Sequence, residues 1–250
     1  PCIGIDKNKF TNINEASELI KKSVDKIETK LNCIFKDIIL VIENFDISCV
    51  NVSGYKKLNG SQVLKENISY ILNSLKLAIN ENEKKKTILH IFNSKSILDG
   101  NDIENLPIGL YGDFYSHELT FFLIRNNDLK NIKQIFNKSN LNIKKIMLKN
   151  FSDGTQLINE KKVDTFIKIN IKKASSQIFF FENSSLRYLE KFKFGSNIIL
   201  KDISKVCSID NNFIKNYLAD KPYKEKNFDK EAVIHKKYFA NSNFRKIKKD

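Results

Sequence analysis

Between residues 88 and 120 four short motifs follow one another: Ile88-Leu-His-Ile-Phe-Asn93, Ile97-Leu-Asp-Gly100, Leu106-Pro-Ile-Gly-Leu-Tyr-Gly112 and His117-Glu-Leu-Thr120. The first reads as a strand over Thr87 to Phe92. A short second strand is expected at Ser96 to Leu98, ended by the Asp99-Gly100 turn. The third is a loop, because its proline and two glycines cannot continue a regular element. The fourth opens a strand running from His117 to Ile124.

Upstream, Ala16, Leu19, Ile20, Val24, Ile27 and Leu31 recur at helical spacing, which predicts a helix over Asn14 to Leu31 with Asn12 or Asn14 as its cap. Asp37 to Glu43 reads as a buried strand and Asp46 to Val52 as a second one, with turns expected at Ser53-Gly54 and Asn59-Gly60. A helix is expected from Ser61 to Ile79, followed by a polar loop over Asn80 to Lys86. Downstream, a helix over Asp128 to Lys138, a strand over Ile143 to Leu148 and a short helix over Ser152 to Ile158 are expected. Three strands then come in a row, Thr165 to Ile171, Gln177 to Phe181 and Leu186 to Phe194, with a turn at Asn183-Ser184-Ser185. Helices from Asn197 to Cys207 and from Ile209 to Leu218 precede a charged tail, from Asp220 onward, expected to pack poorly. Alternating helices and strands, followed by consecutive strands and then helices, make the chain α/β with an α+β part.

Composition excludes several classes. With 250 residues, 41% of them apolar, the chain has enough hydrophobic material for a sizeable core. Its net charge of +14 invites a nucleic-acid reading. Of the 43 basic residues, however, only Arg125, Arg187 and Arg245 are arginines, and the lysines are spread along the whole chain. Base recognition favours clustered, bidentate arginine, so no nucleic-acid partner is expected. Cys2, Cys33, Cys49 and Cys207 stand far apart, with no metal-ligand spacing to His90, His117 or His235. Cys33 and Cys207 are expected in or near the core. The histidines are expected in structural or surface roles, with His90 after a strand and His117 starting one. No apolar run is long enough to span a bilayer.

The collinear order of the motifs resembles the FtsA family of actin-like cell-division proteins, whose corresponding segment reads roughly Ile-Leu-His, Asp-Gly, Pro-Ile-Gly-Met-x-Gly and His-x-x-Thr. The similarity runs from about Ile3 to Leu218 and more weakly to Lys246. It implies a partial actin-like, ribonuclease H-like fold carrying an inserted strand–helix–strand–strand (SHS2) module. Residues 1–44 and 125–162 would form an incomplete first actin-like subdomain, 45–124 the inserted module, and 163–250 the start of the second subdomain. The resemblance implies a scaffold that tethers filaments of the tubulin-like protein FtsZ to the inner membrane and recruits other division proteins. It would work in the cytoplasm, at the membrane's inner face at the division site, and the inserted module would carry self-association. Actin-like proteins of pilus assembly are the alternative within the same fold.

Actin-like proteins hold ATP on glycine-rich turns, with carboxylates placing magnesium. The family's second phosphate loop reads about Asp-Ile-Gly-Gly-Gly-Thr-Thr-Asp. Aligned without gaps, this chain offers Asn170-Ile-Lys-Lys-Ala-Ser-Ser-Gln177. Both carboxylates are amides here, and a neutral amide does not balance a divalent cation. All three glycines are gone, so Cβ atoms obstruct close backbone approach. Lys172, Lys173, Ser175 and Ser176 remain able to meet a phosphate. The next family element, Gly-Gly-x-x-x-Thr-x-Asp-Ile, appears as Gly195-Ser-Asn-Ile-Ile-Leu-Lys-Asp-Ile203. Gly195 and Asp202 persist, Ser196 replaces the second glycine, Gly195 reads as a strand-to-helix turn, and Asp202 as an ordinary helix residue. Asn170, Lys172, Lys173, Ser175, Ser176, Gln177, Gly195, Ser196 and Asp202 thus mark a degenerate nucleotide site. No catalytic residue is assigned, and no cofactor beyond ATP with magnesium is implied. An ATPase that still binds or hydrolyses ATP is the enzymatic alternative.

Two further features carry expectations. Of Phe179, Phe180 and Phe181, two should face a core and one outward, because strand side chains alternate. Pro107, Gly109, Leu110, Tyr111 and Gly112 form a candidate interaction loop, in which Leu110 and Tyr111 are either an exposed contact or a buried plug. The chain starts at Pro1, has Met147 as its single methionine, and is expected to be a fragment. The family's first phosphate hairpin would precede it. The adenine-binding half and the amphipathic membrane helix would follow it, so membrane contact is expected only through segments outside this chain.

Overall fold

The computed structural model describes residues 5–6, 9–43 and 45–220. It comprises two compact units: Pro1–Lys168 with Ile178–Glu190, and Ile169–Gln177 with Lys191–Asp250.

In the first unit, β1 (Ile5–Asp6) and β2 (Lys9–Phe10) form a short antiparallel ladder. Helix α1 (Ile13–Leu31) starts where Asn12 Oδ1 accepts the amides of Asn14 and Glu15, at 3.1 and 3.2 Å. That decides between the two candidate caps in favour of Asn12. The helix ends at Asn32, whose φ of 51° is the left-handed stop that asparagine tolerates. Strand β3 (Asp37–Ile42) pairs in parallel with β8 (Asn142–Leu148). Helix α3 (Asn126–Lys138) leads into β8, and α4 (Lys149–Lys161) follows it. Ser139, just after α3, donates its hydroxyl to the Ser17 carbonyl of α1 at 3.0 Å.

A separate four-stranded antiparallel sheet has the order β4-β7-β5-β6. Its strands are β4 (Ile47–Lys57), β5 (Lys86–Leu98), β6 (Asn101–Ile103) and β7 (Phe114–Arg125), with helix α2 (Lys65–Asn82) between β4 and β5. The central strand β7 is buried on both faces. Leu119, Phe121 and Leu123 pack with Ile79, whereas Phe122 and Ile124 join Ile42, Leu148, Phe179, Phe181 and Leu186. Double burial accounts for the unbroken apolar run Phe121-Phe-Leu-Ile124.

Several expectations are corrected here. Ser53-Gly54 is not a turn: β4 runs through it, and Gly54 pairs with His117. The glycine answers to packing, because a Cβ on it would stand 2.7 Å from Ile71 Cγ2 of α2. Ser96 to Leu98 is not a second strand but the end of β5, which continues past irregularities at Ile88/His90 and Asn93/Lys95. Helix α2 starts at Lys65 rather than Ser61, because residues 61 to 63 hydrogen-bond to the 110–112 loop instead. Helix α4 is longer than Ser152 to Ile158 at both ends. Cys33 is exposed, not in the core, since it lies in the link between α1 and β3. His90 and His117 lie inside strands rather than at their ends. The turns at Asn59-Gly60 and Asp99-Gly100 are present, with positive φ at all four residues.

Strands β9 (Phe166–Ile171), β10 (Ser176–Glu182) and β11 (Ser185–Phe192) form a sheet of order β11-β10-β9. The β10–β11 reversal has positive φ at Asn183 and Ser184. Phe179 and Phe181 are fully buried and Phe180 half-buried, as strand alternation requires. In the second unit, α5 (Ser196–Cys207) ends at Ser208 in the left-handed conformation. Asp210 then caps α6 (Asn211–Asp220), accepting the amides of Asn212 and Phe213 at 2.7 and 3.2 Å. The expected tail beyond Asp220 lies outside the described residues.

Candidate phosphate site

Asn170 ends near the tip of β9, Lys172, Lys173 and Ser175 form the turn to β10, and Ser176 and Gln177 begin β10. The turn closes through the Lys172 amide, which donates to the Ser175 carbonyl at 2.9 Å. Gly195 and Ser196 start α5 directly beside it. The Ser196 amide donates to the Lys172 carbonyl and the Asn197 amide to the Lys173 carbonyl, both at 3.0 Å. The Ile198 amide donates to the Gly195 carbonyl at 3.0 Å. Donors at a helix start are the usual cradle for a phosphate. Here the amides of Ser196 and Asn197 are occupied by the turn's own carbonyls and that of Ile198 by Gly195.

Gly195 makes this closure sterically feasible. A Cβ on it would stand 2.1 Å from the Lys172 carbonyl oxygen and 2.7 Å from that of Lys173. Its φ of −159° is ordinary extended backbone, so the glycine is demanded by close approach and not by torsion. Ser176 is buried, and its hydroxyl donates to the Phe194 carbonyl at 2.9 Å, which removes it from phosphate duty. Gln177 is also buried, and its Oε1 has no hydrogen-bond partner. Asp202 is exposed in the middle of α5, six residues past the helix start. The structure therefore gathers Lys172, Lys173, Ser175, Gly195 and Ser196 around one turn and leaves Asp202 apart from it.

Beside the turn lies an open cleft of about 300 Å³. It is lined by Lys173, Lys193, Lys201, Lys215, Gly195 and Asn211, among others, and no carboxylate lines it among the described residues. Lys193, Lys201, Lys215 and Asn211 were not expected here. The lysines sit in different elements with no motif spacing, and their abundance along the chain hides any local signal. Among the described residues, no group of His, Cys, Asp and Glu side chains is arranged to hold a metal ion.

The 107–112 loop is a second surface of interest. It is held by backbone bonds: Val63 N–H to Leu110 O at 2.8 Å, Gly109 N–H to Val63 O at 2.9 Å, and Gly112 N–H to Ser61 O at 3.2 Å. Gly109 takes a φ of +88°, which favours glycine. Pro107 is buried, whereas Tyr111 is 70% exposed and Leu110 48% exposed. Of the two open readings, the buried plug is excluded, since both side chains face solvent.

No family model matches the chain. It is 22% identical over 214 residues to the cell division protein FtsA of Buchnera aphidicola from Acyrthosiphon pisum, covering 85% of this chain and 51% of that protein. It is 23% identical over 206 residues to FtsA of Neisseria meningitidis serogroup B, covering 82% and 49%. The type IV pilus biogenesis complex PilM–PilN contains a chain that superposes with a TM-score of 0.53 at 7% identity, covering 87% of this chain and 59% of that one. The chain is a distant, FtsA-like protein of actin fold. It spans about half the length of the FtsA proteins it matches. The TM-score supports the fold alone, because 7% identity carries nothing about partners. In this FtsA-like chain, no helix among the described residues is long and apolar enough to cross a membrane.

Proposed function

We propose that this chain acts as an FtsA-like division scaffold that helps tether FtsZ filaments to the inner membrane and recruit division proteins, without turning over ATP. The observation that carries the second half of this reading is the closure of the 172–175 turn onto α5. Its carbonyls occupy the amides of Ser196 and Asn197, and carboxylates are missing at positions 170 and 177. A turn with oxygen atoms where phosphate donors are needed does not organise magnesium triphosphate for hydrolysis.

The division role is supported by the distant FtsA similarity along most of the chain. In this reading residues 45–124 are the SHS2 module, supported by the element order β4, α2, β5 and β7. In the same reading residues 1–44 and 125–162 belong to the first actin-like subdomain, and residues 163–250 to the second. Leu110 and Tyr111, exposed on that module, suit a protein contact. The protein would work in the cytoplasm, at the inner face of the membrane at the division site. Membrane attachment is not assigned to any described residue.

The test pairs two measurements on the chain. Steady-state phosphate release with magnesium and ATP should not exceed the protein-free rate, and purified FtsZ should be retained by the immobilised chain. Magnesium-dependent turnover would replace the scaffold with an actin-like ATPase. Loss of FtsZ binding, with the fold intact by circular dichroism, would remove the tethering role.

A further inference from the structure

A larger cleft, of about 640 Å³, lies wholly within the first unit, between the end of β5, β6 and the β10–β11 reversal. One of its walls is a strand edge. β6 pairs only with Ser96 to Leu98 of β5. On that side the backbone of Asn93, Ser94 and Lys95 has no partner among the described residues, while β7 pairs along the other side. An edge with free N–H and C=O groups is a template for another strand. The ladder to β7 is irregular between Asn93 and Lys95, so the edge twists there and offers a short stretch rather than a long one. The facing wall is held in place. The Asn183 amide donates to Thr165 Oγ1 at 3.3 Å, and the Ser184 amide to the Asp164 carbonyl at 2.8 Å.

The charges in the cleft select what enters it. In a chain with an excess of basic residues, this lining has three carboxylates, Asp102, Glu104 and Glu182, against two cations, Lys95 and Arg187. Both cations are already taken. Lys95 Nζ lies 3.6 Å from Asp102 Oδ2, and Arg187 Nη2 lies 2.9 Å from Glu182 Oε2. Glu104 is exposed and has no ion-pair partner among the described residues, so the cleft keeps one uncompensated negative charge. That charge favours a basic group. Arg187 is buried, and its Nε has no hydrogen-bond partner. A backbone carbonyl is an acceptor of the kind this guanidinium lacks, whereas an ammonium group or a metal ion is not. An extended peptide meets these demands together, since it brings amides, carbonyls and a basic side chain on one strand.

We propose that this cleft takes an extended peptide segment of a protein partner, added as a short strand to β5 where β6 stops, with Glu104 receiving a basic side chain of that segment. Main-chain bonds to Asn93, Ser94 and Lys95 supply the affinity, and the single free carboxylate supplies the preference for lysine or arginine. The site involves neither the 172–175 turn nor the 107–112 loop, so it stands whether or not the chain turns over ATP.

The experiment is equilibrium binding of a short, capped peptide of alternating threonine and lysine to the whole chain, read by fluorescence anisotropy. The net charge of +14 repels such a peptide, so its binding cannot come from bulk charge. The peptide should bind and slow hydrogen exchange between Asn93 and Lys95. N-methylation of one alternate set of its amides, which removes the donors of one edge, should lower affinity by about tenfold or more, and methylation of the other set should change little. Glutamine in place of the peptide lysines, or Glu104→Gln in the chain, should each lower affinity by about two- to fivefold, and the two together by no more than either alone. Glu18→Gln on α1 should change nothing. Both glutamates are exposed, and equal melting temperatures would show that the variants remain folded. Affinity indifferent to methylation would reduce the contact to charge and overturn strand addition. Equal losses from Glu104→Gln and Glu18→Gln would overturn the placement. Absence of binding would overturn the proposal outright while leaving the ATP and FtsZ measurements to decide the scaffold reading.

Discussion

The carbonyl oxygen of Lys172 lies where a Cβ on Gly195 would come within 2.1 Å of it. The turn and the helix start are therefore fitted to each other through the one position of the second family element that has kept its glycine. Substituting Gly195→Ala forces the turn away from α5 and breaks the bonds from the Ser196 and Asn197 amides. Hydrogen exchange at those two amides should quicken, and stability should drop by about 1–3 kcal/mol. Unchanged protection at Ser196 and Asn197 would show that the contact does not hold the turn.

Burial of His117 predicts a dependence on pH. His117 is 2% exposed, and neither ring nitrogen has a hydrogen-bond partner. Burial pushes its pKa below the ordinary 6.5. His90 is lowered as well, by burial and then by the charge of Lys145. Its Nε2 accepts the Leu148 amide at 3.3 Å, which a protonated ring does not do. The unfolded chain then takes up protons at a higher pH than the folded one, so stability is complete above 6.5. It is lost as pH falls from there toward the lower folded-state values. Urea midpoints should decrease from neutral to mildly acidic buffer, and His117→Leu should flatten that slope. An unaltered slope in the variant would rule His117 out as a source of it.

A tight fit in the first unit supplies another test. Gly154 in α4 faces the ring of Phe181, and a Cβ there would stand 2.0 Å from Phe181 Cζ. Alanine is intrinsically the better helix former by about 1 kcal/mol, yet Gly154→Ala should destabilise by about 1–3 kcal/mol, because overpacking outweighs propensity. The double substitution with Phe181→Leu should recover part of that loss, since the two residues compete for one volume. Additive effects in the double-mutant cycle would contradict direct contact.

Much of this architecture was legible from periodicity and turn chemistry. The spacing of Ala16, Ile20, Val24 and Ile27 marks α1, and residues 117–124 read as a strand, although its burial on both faces shows only in the fold. The errors have physical sources. Ser53-Gly54 looks like a turn because glycine in a sequence does not declare whether it serves torsion or packing, and here Ile71, distant in sequence, decides. Ser61 to Leu64 has helical apolar spacing, but its backbone donors and acceptors go to Leu110 and Gly112, a non-local pairing that propensity does not contain. At the phosphate site the loss of glycines and carboxylates was visible at once. The closure of Lys172 and Lys173 onto α5 was not, since it depends on where two segments meet. The cleft lysines were hidden for the opposite reason: in a chain this rich in lysine, Lys193, Lys201 and Lys215 have no local context to set them apart.

The exposed loop gives the last prediction. Leu110 and Tyr111 are anchored through their backbone environment, the Val63 amide donating to Leu110 O and residue 111 bridging residue 62, while their side chains face solvent. Replacing them with serine removes apolar contact area without touching the bonds that shape the loop. Leu110→Ser with Tyr111→Ser should therefore leave stability within about 0.5 kcal/mol. If this surface carries self-association, sedimentation velocity should show the variant shifting toward monomer at concentrations where the parent chain associates. The two effects separate structure from docking, because a residue that merely supported the loop would move the melting temperature first. A parent chain that associates as strongly after both substitutions would place the contact elsewhere on the molecule.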